Sequence, residues 1–301
     1  MRSGTRSALA ALIATAGITA STAQAVPVFA IDDDPGQHLI AFDSATPGTL
    51  NSVLSITGLQ PNEKLIGIDF RISASGINQN VLYGVGSFGR IYTVNTANGA
   101  ATFIAALTDG VNPVLLNGTQ FGFDFSPQAD LLRIVSDLDQ NLRVNVDTGV
   151  TVVDSPLNPL NPNVTHLAYD RSDQVGGTAT TLFGIDTVTN QLVGIGGVDG
   201  TPSPNAGTVT PIGPLGMNPD NLGGFDIQVD GTAYAILGVG PNSFLTTINL
   251  VTGATGTPLV VGNPEDEVMI RGMAVAIPEP ASVALLGIGA LSLLSRRRRS
   301  R

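Results

Sequence analysis

A short apolar run carrying an aspartate returns four times along this chain. It reads Leu65-Ile66-Gly67-Ile68-Asp69-Phe70, Phe121-Gly122-Phe123-Asp124-Phe125, Leu167-Ala168-Tyr169-Asp170 and Gly223-Gly224-Phe225-Asp226-Ile227. Each is followed by a second β-prone run: Val81-Leu82-Tyr83-Gly84-Val85, Leu131-Leu132-Arg133-Ile134-Val135, Leu182-Phe183-Gly184-Ile185 and Ala233-Tyr234-Ala235-Ile236-Leu237. A third type ends in an asparagine four positions before a glycine, as at Asn95 and Gly99, Asn145 and Gly149, and Asn249 and Gly253. The asparagine side chain can bond the local backbone and the glycine accepts φ > 0, so this spacing predicts a strand-to-strand turn. A fourth run follows, such as Ala101-Thr102-Phe103-Ile104. Four-stranded units recurring every 40–60 residues, roughly, are the signature of propeller blades.

The first unit is incomplete. Val28-Phe29-Ala30-Ile31, His38-Leu39-Ile40-Ala41-Phe42-Asp43 and Ser52-Val53-Leu54-Ser55-Ile56 supply second, third and fourth strands, with no first strand before them. The matching orphan stands at the other end, Met269-Ile270-Arg271-Gly272-Met273-Ala274-Val275-Ala276, with Ala274 in place of the aspartate. A ring closed by pairing the two ends accounts for both facts and leaves no exposed sheet edge. The fold expected is therefore all-β, a propeller of five four-stranded blades. A six-bladed ring and a pair of β-sandwiches are the alternatives.

Both ends of the chain read as addresses. Arg2 and Arg6 precede an apolar stretch from Ala8 to Ala20, and Ala23-Gln24-Ala25 is a small-x-small cleavage site. Cleavage by signal peptidase is expected between Ala25 and Val26. At the far end, Pro278-Glu279-Pro280 leads into an uncharged run to Ser295, then Arg296, Arg297, Arg298 and Arg299. Two prolines in three residues hold the triplet extended. The run from Ala281 reaches about 22 Å as a helix at roughly 1.5 Å per residue, short of the roughly 30 Å of a bilayer core. A short transmembrane helix over 281–295, inserted transiently with its arginines cytoplasmic, is the expectation; an ordinary membrane anchor is the alternative.

In these last residues, Pro278 to Arg301, the chain resembles proteins with the PEP-CTERM sorting signal of Gram-negative bacteria. That resemblance implies recognition by an exosortase and delivery to the cell surface or extracellular matrix. The organisation expected is a signal peptide over 1–25, a β-propeller-like domain over 26–277 and a sorting signal over 278–301. The stretch from Phe121 to Asn145, with Leu82-Tyr83-Gly84, Ile91-Tyr92-Thr93-Val94 and Arg271-Gly272-Met273-Ala274, resembles an uncharacterised bacterial family of secreted propeller-like proteins, domain of unknown function 4394. This second resemblance supports the fold and implies no activity, so it brings no catalytic residues with it.

Composition narrows the chemistry. The absence of cysteine removes disulfides, thiol nucleophiles and cysteine zinc sites, so stability must come from a sizeable core. Between the two signals seven basic residues face 23 acidic ones, a formal charge of −16. Such a surface repels nucleic acid and anionic lipid. It also repels acidic matrix polysaccharide unless divalent cations bridge the two; matrix polysaccharide or a surface protein is the partner class expected.

Asp69, Asp124, Asp170 and Asp226 fall at equivalent positions of four first strands, which line a propeller's axis. They are the candidate metal ligands, for a hard cation such as calcium, although a repeated aspartate more often fixes a neighbouring backbone turn. Asp32-Asp33-Asp34 and Asp137-Leu138-Asp139-Gln140-Asn141 are oxygen-rich but lack EF-hand spacing and read as hairpin turns. His38 and His166 are the only histidines and show no zinc spacing. No Gly-x-Ser-x-Gly occurs; Val85-Gly86-Ser87-Phe88-Gly89 is read as a hairpin turn. No cofactor is expected, calcium aside. The sum is an exported, non-catalytic structural or binding propeller, with a metal-dependent hydrolase or lactonase-like enzyme centred on the aspartates as the rival.

Overall fold

The computed structural model describes residues 25–72, 80–159, 162–172 and 178–277. Among these residues, twenty strands form five four-stranded antiparallel sheets. Blade 1 begins with β1 (Pro27–Asp32), β2 (His38–Asp43) and β3 (Leu50–Ser55). Blade 2 holds β4 (Leu65–Phe70), β5 (Leu82–Gly86), β6 (Arg90–Val94) and β7 (Ala101–Ala106). Blade 3 holds β8 (Phe121–Ser126), β9 (Leu131–Ser136), β10 (Asn141–Val144) and β11 (Thr151–Val153). Blade 4 holds β12 (Val164–Tyr169), β13 (Leu182–Asp186), β14 (Gln191–Ile195) and β15 (Val209–Pro214). Blade 5 holds β16 (Gly223–Ile227), β17 (Ala233–Val239), β18 (Asn242–Thr247) and β19 (Leu259–Val260).

The last strand, β20 (Ile270–Val275), adds to β1 as the innermost strand of blade 1, antiparallel, with Val28 opposite Val275 and Ile31 opposite Gly272. The ring is thus closed by the two ends of the domain, with five blades, as the orphan strands require.

Burial follows radius. The inner strands β4, β8, β12 and β16 are buried at every position. The outer strands β3, β7 and β11 expose alternate or successive residues. Inner strands are therefore apolar on both faces, as strands packed between neighbours must be. Around the axis they approach so closely that a Cβ on Gly67 would overlap the Phe123 ring, and one on Gly122 would meet the backbone of Leu167. Glycine at the second or third position of β4, β8 and β16 is a packing requirement.

The asparagine–glycine turns take the expected form. Gly149 N–H donates to the Asn145 carbonyl (2.8 Å), Asn145 Oδ1 accepts from Asp147 N–H (3.0 Å), and Gly149 sits at φ +75°. Asn95 with Gly99 and Asn249 with Gly253 repeat the arrangement. These turns lean on the preceding blade: a Cβ on Gly149 would lie within 2.0 Å of the Ala106 carbonyl. Blade 4 departs from the pattern. Between β14 and β15 it inserts two short 3-10 turns, Val198–Gly200 and Pro204–Ala206.

Candidate functional site

The inner strands bring Asp69, Asp124 and Asp226 together on the axis. All three are buried, and carboxylate oxygens from each lie within 4.8 Å of one another. Asp69 Oδ2 accepts from Phe125 N–H on β8 (2.7 Å), Asp124 Oδ2 from Tyr169 N–H on β12, and Asp226 Oδ2 from Val275 N–H on β20 (2.6 Å). Asp69 Oδ1 also accepts its neighbour Phe70 N–H (2.7 Å), and Asp226 accepts Ile227 N–H. Phe70, Phe125, Tyr169, Ile227 and Val275 occupy one level of the five inner strands. Three carboxyls therefore satisfy five axial N–H groups, which buried backbone demands, and staple blade 2 to 3, 3 to 4, and 5 to 1.

Asp170 is not part of this group. The axial position in β12 is held by Ala168, two residues earlier, because the N–H that Asp124 accepts belongs to Tyr169 and not to the residue after Asp170. Asp170 lies at the strand's end, where it accepts from Thr181 N–H (2.6 Å) and pairs with Arg171 (3.1 Å). The signal that distinguishes the two settings is a glycine two positions before the aspartate: Gly67-x-Asp69, Gly122-x-Asp124 and Gly224-x-Asp226. Blade 1 keeps the glycine with alanine, Gly272-x-Ala274, and blade 4 has His166-x-Ala168.

Burial controls the protonation of the triad. It pushes Asp69 up to about 6, and Asp226 up to about 8, the latter with help from the charge on Asp69. Asp124 is raised well above the ordinary carboxylate range by burial and by Asp69. Close carboxyls that cannot all ionise share protons, and a cation is the other way to neutralise them. The adjoining cavity, between Asp69, Ser172, Asp226 and Ala276, is about 10 Å³. That is room for one water or one ion, not for an organic molecule. The expectation of a non-catalytic chain is overturned here: three buried carboxylates in this arrangement can hold a metal ion, the ligand set that a metal-dependent reaction needs.

The other candidates resolve locally. Asp32, Asp34 and His38 form a second group with metal-ligating atoms close together. Asp32 is already bound to the hairpin, accepting from His38 N–H (2.8 Å) and meeting His38 Nδ1 (2.8 Å). Asp137 ties its hairpin to the segment before β8, accepting from Thr119 N–H (2.9 Å) and the Thr119 hydroxyl (2.7 Å). His166 is buried on the axis side of β12, bonded to the Thr165 hydroxyl (2.8 Å), and burial lowers it to about 4. A larger, mostly apolar groove of about 770 Å³ runs between blades 4 and 5, past Phe183, Ile212 and Leu250.

The calls on the two ends fall largely outside the described residues: Ala23, Pro278, Glu279, Pro280 and Arg296 to Arg299. The transmembrane helix expected over 281–295 needs correction. No helix among the described residues is long and apolar enough to cross a membrane, and 281–295 lies outside them.

A family profile described as Domain of unknown function (DUF4394) matches residues 38–274, which is most of the chain. The chain belongs to this family. A second profile, the PEP-CTERM protein-sorting motif, matches residues 276–299 and begins directly after β20. No curated protein matches the sequence. Among solved structures, a putative 6-phosphogluconolactonase from Bacteroides uniformis is 12% identical with a TM-score of 0.41, over 79% of this chain and 82% of that one. A protein of unknown function from Bacteroides caccae is 9% identical, TM-score 0.42, over 85% and 100%. An auxiliary nutrient binding protein from Bacteroides thetaiotaomicron is 11% identical, TM-score 0.41, over 79% of this chain and 49% of that one. These likenesses are too distant to bear on activity.

Proposed function

We propose that this DUF4394 propeller is delivered to the cell surface or extracellular matrix and works there as a structural or binding module. It would cross the inner membrane with its signal peptide, lose residues 1–25 to signal peptidase, and lose its tail to an exosortase. The observation that carries this reading is the position of the sorting motif. It starts at residue 276, immediately after the strand that closes the ring. Removing it leaves every blade complete. Fractionation of cells with and without the exosortase tests the proposal. The expected result is protein lacking Arg296 to Arg299 in the surface or matrix fraction, only where the exosortase is present. Full-length protein with its tail intact in wild-type surface fractions would overturn it.

A second reading is favoured by the axial triad: a hard cation at Asp69, Asp124 and Asp226, with Lewis-acid chemistry available to it when bound. Oxygen-only, acidic ligands suit calcium or magnesium better than zinc. The cation would have to displace the protons that burial retains, so its affinity should rise with pH. Thermal melts with calcium decide the matter. A calcium concentration 100-fold above Kd stabilises by about 2.7 kcal/mol, a shift on the order of 5–10 °C, which Asp124→Asn should abolish. A melting temperature indifferent to calcium at pH 8 leaves the triad as a shared-proton staple.

A further inference from the structure

A cavity of about 150 Å³ lies off the axis between blades 3 and 4. Two guanidinium groups line it, Arg133 on β9 and Arg143 on β10. Arg133 is 2% exposed, and a charge buried that deeply needs partners. It donates from Nε to Tyr169 Oη (2.8 Å), from Nη1 to Asn141 (2.6 Å) and Asp154 (3.2 Å), and from Nη2 to Asn205 (2.6 Å). Arg143 donates from Nε and Nη2 to the same Asp154, both at 2.7 Å.

Two cations thus rest on one carboxylate, and no aspartate or glutamate lines the cavity among the described residues. In a domain of formal charge −16 this is a local reversal of sign. Each guanidinium carries five N–H donors. Arg143 uses only two in these bonds, leaving Nη1 without a partner among the described residues.

A second observation is independent of the arginines. The hydroxyl of Thr180, a residue 3% exposed, lines the cavity and has no hydrogen-bond partner among the described residues. Buried hydroxyls are nearly always satisfied, so one left open beside a polar cavity marks a place for a ligand atom. Ser126 and Gln128 add further polar atoms to the wall. The outer wall, Ser203 to Asn205, comes from the insertion peculiar to blade 4.

From these features we infer that the cavity binds a small hydroxylated carboxylate, a sugar acid. Its carboxylate would lie against Arg143 and the edge of Arg133, where planar forks match planar oxyanions. Its hydroxyls would meet Thr180, Ser126 and Gln128. One net positive charge suits a monoanion better than a doubly charged phosphate. A cavity of this size holds a ligand about as large as a six-membered ring, so a single sugar-acid residue fills it. The inference deepens the binding reading above and rests on it.

The test is titration of the purified full chain with D-glucuronate, with glucose and inorganic phosphate as comparators, followed by thermal melts and calorimetry. Glucuronate should give a saturable rise in melting temperature with a Kd on the order of 1 mM or tighter. Glucose should give none, and phosphate should bind at least about tenfold more weakly. Arg133 also joins two blades, so its removal risks the fold. Arg143→Gln and Thr180→Val are the informative variants: with an unchanged circular dichroism spectrum, the first should lose about tenfold or more in affinity and the second several-fold. Phosphate binding as tight as glucuronate, no saturable effect of glucuronate, or unchanged affinity in Arg143→Gln would each overturn the assignment. A correctly delivered protein that ignores glucuronate sinks the ligand alone, whereas a glucuronate-binding protein absent from the surface sinks the location alone.

Discussion

Asp226 carries two duties that pull against each other. Its carboxyl must stay on the axis to accept Val275 N–H, yet burial and the neighbouring Asp69 oppose its ionisation. In the unfolded chain it would ionise near the ordinary value of about 3.9. In the folded chain its pKa is about 8, and that of Asp69 about 6. Between those limits the native state holds protons that the unfolded state has released, so stability falls as pH rises through this window. His166 works in the opposite sense. Its folded pKa of about 4 lies below the usual 6.5, so its contribution is present at higher pH and lost as pH falls from 6.5 towards 4. Above pH 6.5 only the carboxyls act. The melting temperature should therefore drop between pH 6.5 and 8.5 by about 4 °C, from roughly 1–2 kcal/mol of lost proton binding. Asp226→Asn cannot ionise but keeps an oxygen for Val275 N–H, so its decline should be clearly smaller. Equal declines in the two proteins, measured by calorimetry at both pH values, would show that the triad does not govern the alkaline side.

At the scale of elements, what could be read in advance was whatever local chemistry dictates. An asparagine at the end of a third strand, four residues before a glycine, specifies its turn in blades 2, 3 and 5, because the side-chain bond and the positive φ are set within five residues. Three blades announced themselves this way. Blade 4 lacks the signature, having Ile195-Gly196-Gly197 and an insertion where the others turn, so its outer strand β15 had no local marker. Its inner strand misled for a related reason. Tyr169-Asp170 looks like the aspartate-bearing end of the other inner strands, but Asp170 stands two residues beyond the axial position, which Ala168 holds. Only contact with the neighbouring blades fixes which residue faces the axis, and a single sequence does not carry that contact. The arginine-lined cavity was invisible for the same reason. Arg133, Thr180 and Asn205 come from three segments with no spacing relation, and the fold alone brings them together. The insertion that walls the arginine-lined cavity and the departure from the repeat coincide in blade 4. A blade freed from the common turn can present new side chains at its edge without disturbing the other four.

The whole molecule is a ring held by one seam. Blade 1 has no inner strand of its own until β20 arrives, after every other blade has been made. The seam is reinforced at both ends: Ala276 N–H donates to the Pro27 carbonyl (2.9 Å) at one, and Asp33 N–H donates to the Met269 carbonyl (2.9 Å) at the other. Arg271 reaches Asp33 at 2.6 Å, a contact between residues 238 positions apart. The two termini also share one core, in which Val26, Val28 and Phe42 pack with Met273, Val275 and Tyr234. Val26, the residue expected to begin the processed chain, is therefore already part of that core, and the processed chain loses nothing the seam uses. A chain spanning 26–277 should melt within about 2 °C of the full-length protein, because such a difference is below 1 kcal/mol for a domain of this size. A chain ending at Glu267 should behave differently. It exposes the edge of β1, unpairs the N–H groups of a buried strand and removes Met273 and Val275 from the core, while leaving Asp226 Oδ2 without Val275. Loss of cooperative melting and aggregation are the expected results, read by calorimetry and light scattering. A cooperative transition in the shorter chain would mean that four blades and a fragment suffice, and that the seam is not what holds the ring.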